Sequence, residues 1–252
     1  MMGPHPAVAE VRHAVRVALT EVPGECPVLV ACSGGADSLA LAAATAFLAP
    51  RLGRRAGLVT VDHGLQDGSA AQAERVAALG YELGFDPVET LIVDVGVAGG
   101  PEAAAREARY GALSDVADAL DAYVLLGHTL EDQAETVLLG LGRGSGPRSI
   151  AGMQAVGAGR YLRPLLQVRR ASTVAACAAL GLQAWEDPHN LDPSFQRVRL
   201  RREVLPLLEA VLQGGVVEAL ARTASLVRED LDALDAIAAT IGDQLREVVG
   251  RP

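Results

Sequence analysis

Lysine is absent from this 252-residue chain: all 22 of its basic residues are arginine. That excludes a Walker-type Gly-Lys-Ser/Thr loop, a lysine-cradled γ-phosphate transfer, and any Schiff base formed by the protein's own side chains. Cysteine is scarce as well. Cys26, Cys32 and Cys177 fit neither a disulfide framework nor a zinc pattern, and no Cys-x-x-Cys pair exists. Aromatic residues make up 3% of the chain and apolar residues 50%, so the core must be built from Ala, Val and Leu. No apolar run reaches the roughly 18 residues of a spanning helix, so no membrane association is expected. His5, Glu10 and Arg12 interrupt any hydrophobic leader, and the expectation is a cytoplasmic protein with no signal peptide.

The net charge of −9 is unevenly spread. Between Leu139 and Arg202 there are ten arginines against three acids (Glu186, Asp187, Asp192), a local balance of +7, which leaves −16 on the remainder. Such segregation predicts a basic face on an acidic body, suited to a polyanionic partner. The alternative is that these arginines pair with acids elsewhere in the chain.

The densest signal is Val28-Leu29-Val30-Ala31-Cys32-Ser33-Gly34-Gly35-Ala36-Asp37-Ser38, followed at once by an Ala/Leu-rich helical run. It reads as strand, tight turn and helix start. Glycines let a backbone approach an anion, and the free N–H groups of a helix N-terminus point at it. The hydroxyls of Ser33 and Ser38 add donors, and Asp37 adds a carboxylate where a phosphate-bound cation could sit. The adjacent glycines rule out the Gly-x-Gly-x-x-Gly dinucleotide turn.

Strand-like runs at Val28–Ala31, Gly57–Val61, Thr90–Val95 and Tyr123–Gly127 alternate with helical stretches near 7–20, 38–49, 69–83, 101–120 and 130–141. That alternation predicts an α/β fold, a Rossmann-like parallel sheet flanked by helices, with a small C-terminal helical region. Ligands of such sheets bind beyond the carboxyl ends of the strands. Ser33–Ser38, Asp62-His63-Gly64 and Gly127-His128 all fall there. His128, Asp132 and Glu135 are spaced i, i+4, i+7, which predicts one helical face. That set could bind a metal, orient a nucleophile or act as a general base; a solvated polar face is the competing possibility.

Ser33-Gly34-Gly35-Ala36-Asp37-Ser38 resembles the phosphate loop of the N-type ATP pyrophosphatases (the PP-loop superfamily). These cleave ATP between the α- and β-phosphates to adenylate an acceptor. The wider set also includes Val61–Leu65, Glu107-Ala108-Arg109-Tyr110, Gly127–Thr136 and Arg143-Gly144-Ser145-Gly146. With Arg163-Pro164-Leu165-Leu166, Trp185–Asn190 and Arg197–Pro206 it is similar to the tRNA(Ile)-lysidine synthetases across about three quarters of the chain. The resemblance implies adenylation of the C2 oxygen of the wobble cytidine in an isoleucine tRNA with a CAU anticodon. Attack by the ε-amino group of free L-lysine then releases AMP and forms lysidine. It implies ATP held by Ser33, Gly34, Gly35, Ala36, Asp37 and Ser38, with His63 near the adenine and Mg²⁺ on the phosphates ligated by Asp37. Asp37, Arg109, His128, Asp132 and Glu135 become the catalytic set, Arg109 as a cation near the developing charge and the last three as the lysine site. Arg143, Arg148, Arg197, Arg199, Arg201 and Arg202 become tRNA phosphate contacts.

Two positions depart from the family pattern: Glu131 stands where Asp is common, and Gln66 where Arg is common. The expected domains are a catalytic one over 1–205 and, over 206–252, a helical linker and the start of a further helical domain, shortened or truncated. A homodimer is left open. The rivals are a sulfur-transferring tRNA enzyme, which commonly needs paired cysteines, a small-molecule amide synthetase, which has no use for the basic segment, and a nucleotide sensor without chemistry.

Overall fold

The computed structural model describes residues 3–62, 64, 68–94, 101–187 and 191–249. Packing divides the chain into two units, Met1–Thr129 with Gln154–Leu191, and Leu130–Met153 with Asp192–Pro252. The expected boundary between residues 205 and 206 falls inside the second unit.

The first unit is built on a six-stranded sheet. Its strands are β1 (Val28–Ala31), β2 (Ala56–Asp62), β3 (Val88–Ile92), β4 (Tyr123–Leu126), β5 (Val156–Gly157) and β6 (Tyr161–Leu162), in the order β3-β2-β1-β4-β6-β5. All pairings are parallel except β5 with β6, as the predicted fold class requires. Helices α1 (Pro6–Thr20), α2 (Ala36–Leu48), α3 (Ser69–Glu82), α4 (Pro101–Ala119) and α7 (Arg170–Ala179) cover it. The pleat sorts side chains with period two. Val28, Val30, Leu58 and Leu125 pack on the face carrying α1, α2, α3 and α7. Leu29, Val59, Val124 and Leu126 pack on the opposite face with Leu113 and Ala117 of α4. Being buried on both faces, β1 reads as an unbroken apolar run.

The chain runs from β1 outward through β2 to β3, then returns to lay β4 on the other side of β1. The carboxyl ends of β1 and β4 therefore flank a topological switch point, where open α/β sheets bind ligands.

The second unit is helical: α5 (Leu130–Arg143), α6 (Pro147–Ile150), α8 (Gln196–Arg199), a π turn over Leu200–Val204, α9 (Leu205–Val211) and α10 (Val216–Val249). Leu130 and Ala134 of α5 pack on Leu205, Val217 and Ala221. Glu209 starts α10, its carboxylate accepting from the Val216 and Val217 N–H groups at 3.2 and 3.1 Å. No single helix among the described residues is long and apolar enough to cross a membrane.

Candidate active site

In the first unit, the turn after β1 ends at Gly35, the N-cap of α2, which makes no side-chain cap bond. The first N–H groups of α2 thus stay available to an anion, and Asp37 in that turn complements the helix dipole. Ser38 is buried, and its hydroxyl is used within the loop. It accepts from the Ser33 N–H at 3.2 Å and donates to the Gly35 carbonyl at 2.9 Å. Ser38 therefore fixes the loop's shape, while Ser33 is the exposed hydroxyl. Gly34 sits at φ +85°, its carbonyl accepting from the Trp185 N–H at 2.9 Å. The end of β4 presses close: a Cβ on Gly127 would lie 3.2 Å from the backbone of Asp37 and Ser38. Only glycine leaves both loops where they are.

Asp37 is held from α7. The Arg170 Nε donates to Asp37 Oδ2 at 3.2 Å, and the Thr173 hydroxyl donates to Oδ1. The Nη2 of the same guanidinium reaches the Thr129 hydroxyl at 3.2 Å, just beyond β4. Thr129 and Thr173 are fully buried. In the sequence Arg170 counts only toward the basic segment, Thr129 only as part of the Gly127–Thr136 motif, and Thr173 does not stand out. A signal existed: two arginines, Arg169 and Arg170, stand at the N-terminus of α7 with no acid in its first turn. Cations at the positive end of a helix dipole call for a carboxylate from elsewhere.

Cys32 and Cys177 lie in the core beside the loop. The Cys177 thiol is directed at the Ala36 carbonyl, 3.3 Å away, and is pushed up to about 11 by burial and by the nearby Asp37 charge. Burial also raises the Cys32 thiol.

Among the other candidates, Asp62 closes β2 and accepts from the Gly64 N–H at 3.0 Å. His63 lies outside the described residues. Arg109 is exposed on α4, its guanidinium carbon 5.7 Å from the Tyr110 ring centroid. His128 is half-buried, and because α5 begins at Leu130 it precedes the helix instead of sharing its face.

In the second unit Asp132 and Glu135 do share a face of α5. Glu135 is fully buried, with the Arg201 Nε donating to Oε1 at 2.7 Å and Nη2 to Oε2 at 3.2 Å. Arg201 also donates to Asp132 at 3.3 Å, and Arg197 stands 3.7 Å from Glu135. Carboxylates and arginines given separate tasks in the sequence are thus brought together. The π turn that carries Arg201 is a local distortion of the kind found at functional sites.

The basic segment resolves differently from a uniform basic face. Arg148 pairs with Asp235, Arg160 with Asp121, Arg170 with Asp37, Arg199 with Glu203, and Arg197 and Arg201 with Glu135. These carboxylate partners all come from outside the segment. Arg143 and Arg202 are exposed.

The PP-loop domain family matches residues 9–208. The tRNA(Ile)-lysidine synthase of Thermobifida fusca is 62% identical over 252 residues, covering 100% of this chain and 76% of that protein. The one from Salinispora tropica is 61% identical over 250 residues, covering 97% and 75%. The solved U34-tRNA thiolase NcsA from Methanococcus maripaludis, with its 4Fe-4S cluster, shares the fold at a TM-score of 0.68 and 17% identity, over 88% of this chain and 80% of that one. With its Ser33–Ser38 turn at the switch point of the sheet and this degree of identity along its whole length, the chain belongs to the tRNA(Ile)-lysidine synthases of the PP-loop family.

Proposed function

We propose that this protein uses ATP to ligate L-lysine to C2 of the wobble cytidine of the isoleucine tRNA with a CAU anticodon, forming lysidine and releasing AMP and pyrophosphate. The observation that carries this is the 62% identity, over the whole chain, to a tRNA(Ile)-lysidine synthase. The loop geometry supports it: an uncapped helix N-terminus faces the switch point, with Ser33 exposed beside it.

The α2 N–H groups and Ser33 bind the β- and γ-phosphates, and Arg109 stabilises charge as pyrophosphate leaves. No group of three or more His, Cys, Asp or Glu side chains among the described residues is arranged to hold a metal. Asp37 is the carboxylate that would hold a Mg²⁺ ion arriving with ATP, and the ion would supply charge neutralisation on the phosphates. Asp132, which keeps 13% side-chain exposure, attracts the lysine ammonium, with the buried Glu135 anchoring Arg201 beside it, and His128 takes up the proton that the amine must lose before attack. Arg143 and Arg202 contact tRNA phosphates.

The test combines the protein, an isoleucine tRNA transcript with a CAU anticodon, ATP and labelled L-lysine. Label should enter the RNA together with AMP and pyrophosphate in equal amounts. Intact folding and ATP binding without label in RNA would refute the assignment. Raising salt should weaken tRNA binding far more than ATP binding.

A further inference from the structure

We infer that Arg170 and Thr173 are positioning residues for nucleotide binding, acting through Asp37, and that α7 thereby locks the phosphate loop to the end of β4. The inference rests on the ATP-dependent reading above. Asp37 is the only carboxylate in the Ser33–Ser38 loop. Left alone, it would rotate about χ1 and χ2 and repel incoming phosphates. Here Thr173 engages one carboxylate oxygen and Arg170 the other, so its orientation is set before nucleotide arrives.

The guanidinium has a second task. Its fork spans from Asp37, just after β1, to Thr129, just after β4, the two strands that border the switch point. A planar fork with donors at fixed separation can hold both at once, which a lysine ammonium cannot reproduce. The side chains of Arg170 and Asp37 retain 23% and 24% exposure, so the pair is reachable by a phosphate-borne cation yet poorly screened. Opposite charge beside Asp37 also offsets its repulsion of the triphosphate.

The experiment is a double-mutant cycle read on nucleotide binding, so that it does not depend on turnover. Affinity for α,β-methylene-ATP with Mg²⁺ is measured by calorimetry on wild type, R170M, T173V, R170K, D37N and the D37N/R170M double variant, each checked by thermal unfolding. R170M and T173V should each weaken binding about ten- to a hundred-fold, the range for losing a hydrogen bond to a charged group. R170K should recover part of the loss by restoring charge without the fork. In the D37N background R170M should cost clearly less than in wild type, because the charge-dependent part that acts through Asp37 is already lost and only the bond to Thr129 remains to be removed. A full additional loss in the double variant, or wild-type affinity in both R170M and T173V, overturns the inference. So does loss of affinity that merely follows loss of thermal stability. Wild type that binds no nucleotide would instead refute the ATP-dependent reading, and the inference with it.

Discussion

Arg201 grips Glu135 through two hydrogen bonds, Nε to Oε1 at 2.7 Å and Nη2 to Oε2 at 3.2 Å, around a carboxylate with no solvent exposure. Desolvating a carboxylate is costly, and removing one partner of a buried pair typically costs about 3–5 kcal/mol. With Arg197 still 3.7 Å away, Arg201→Ala should fall near the lower end of that range. Glu135→Gln, which removes the buried charge itself, should cost less. Urea unfolding of the second unit's helices checks this. Unchanged stability with a selective loss of tRNA affinity would instead make Arg201 a phosphate contact.

Neighbouring glycines in the phosphate loop should behave oppositely. A Cβ on Gly34 would lie 2.0 Å from the Gln72 Nε2, and the residue sits at φ +85°. Gln72 is itself tied to Arg75, which donates to its Oε1 at 3.0 and 2.7 Å. Gly34→Ala should destabilise the first unit by at least the ~1–2 kcal/mol of a left-handed non-glycine residue. A Cβ on Gly35 meets nothing nearer than the Ser33 Oγ at 3.7 Å. Gly35→Ala should fold near wild-type stability but place a methyl group where the phosphates approach, cutting ATP affinity about tenfold or more. Paired thermal-unfolding and calorimetric measurements on the two variants separate these outcomes.

Much of this was legible in the sequence where one physical signal dominated. β1 and β4 are apolar because both sheet faces are covered, and the loop declared itself by composition. β3 runs over Val88–Ile92, earlier than the expected Thr90–Val95, because it pairs with Leu58–Asp62 and a half-exposed strand containing Glu89 carries little pattern. The two-residue strands β5 and β6 are too short to show any period. Helix α7 lies outside the predicted helices because its start carries arginines where a cap and acids are usual. Its partner, Asp37, is 133 residues away, and such a tertiary ion pair has no local signature. The same limit left open whether the arginine-rich segment forms a basic face or pairs with acids elsewhere in the chain.

The Cys177 thiol, 3% exposed, is raised from an ordinary 9.0 to about 11, and Cys32 is raised by burial too. Both stay protonated near neutral pH, so neither is a nucleophile. A thiol-specific reagent at pH 8 should label Cys26, which is half-buried, in the native protein and the other two only after unfolding. A thiol whose folded value is raised favours the folded state fully below its unfolded value. That contribution should therefore be intact below pH 9 and decline as pH rises toward about 11. Conversion of both Cys32 and Cys177 to Ser should flatten that alkaline decline; rapid native labelling of Cys177 would contradict its burial.

The Arg148 guanidinium is bidentate to Asp235 at 2.6 and 3.0 Å although both side chains are more than half exposed. The hydrogen bond from Arg148 holds the Asp235 carboxyl below the usual carboxylate range. The pair's contribution is accordingly present above that range and is lost as pH falls through the lowered value. An exposed pair adds little to stability, so Asp235→Asn should leave the unfolding midpoint nearly unchanged. It should, however, release a cation. If Arg148 meets a tRNA phosphate, Asp235→Asn raises tRNA affinity at low salt, and the gain shrinks as salt rises because surface charges are screened. Filter-binding titrations across a salt series decide the matter: parallel curves for wild type and Asp235→Asn would confine Arg148 to its intramolecular pair.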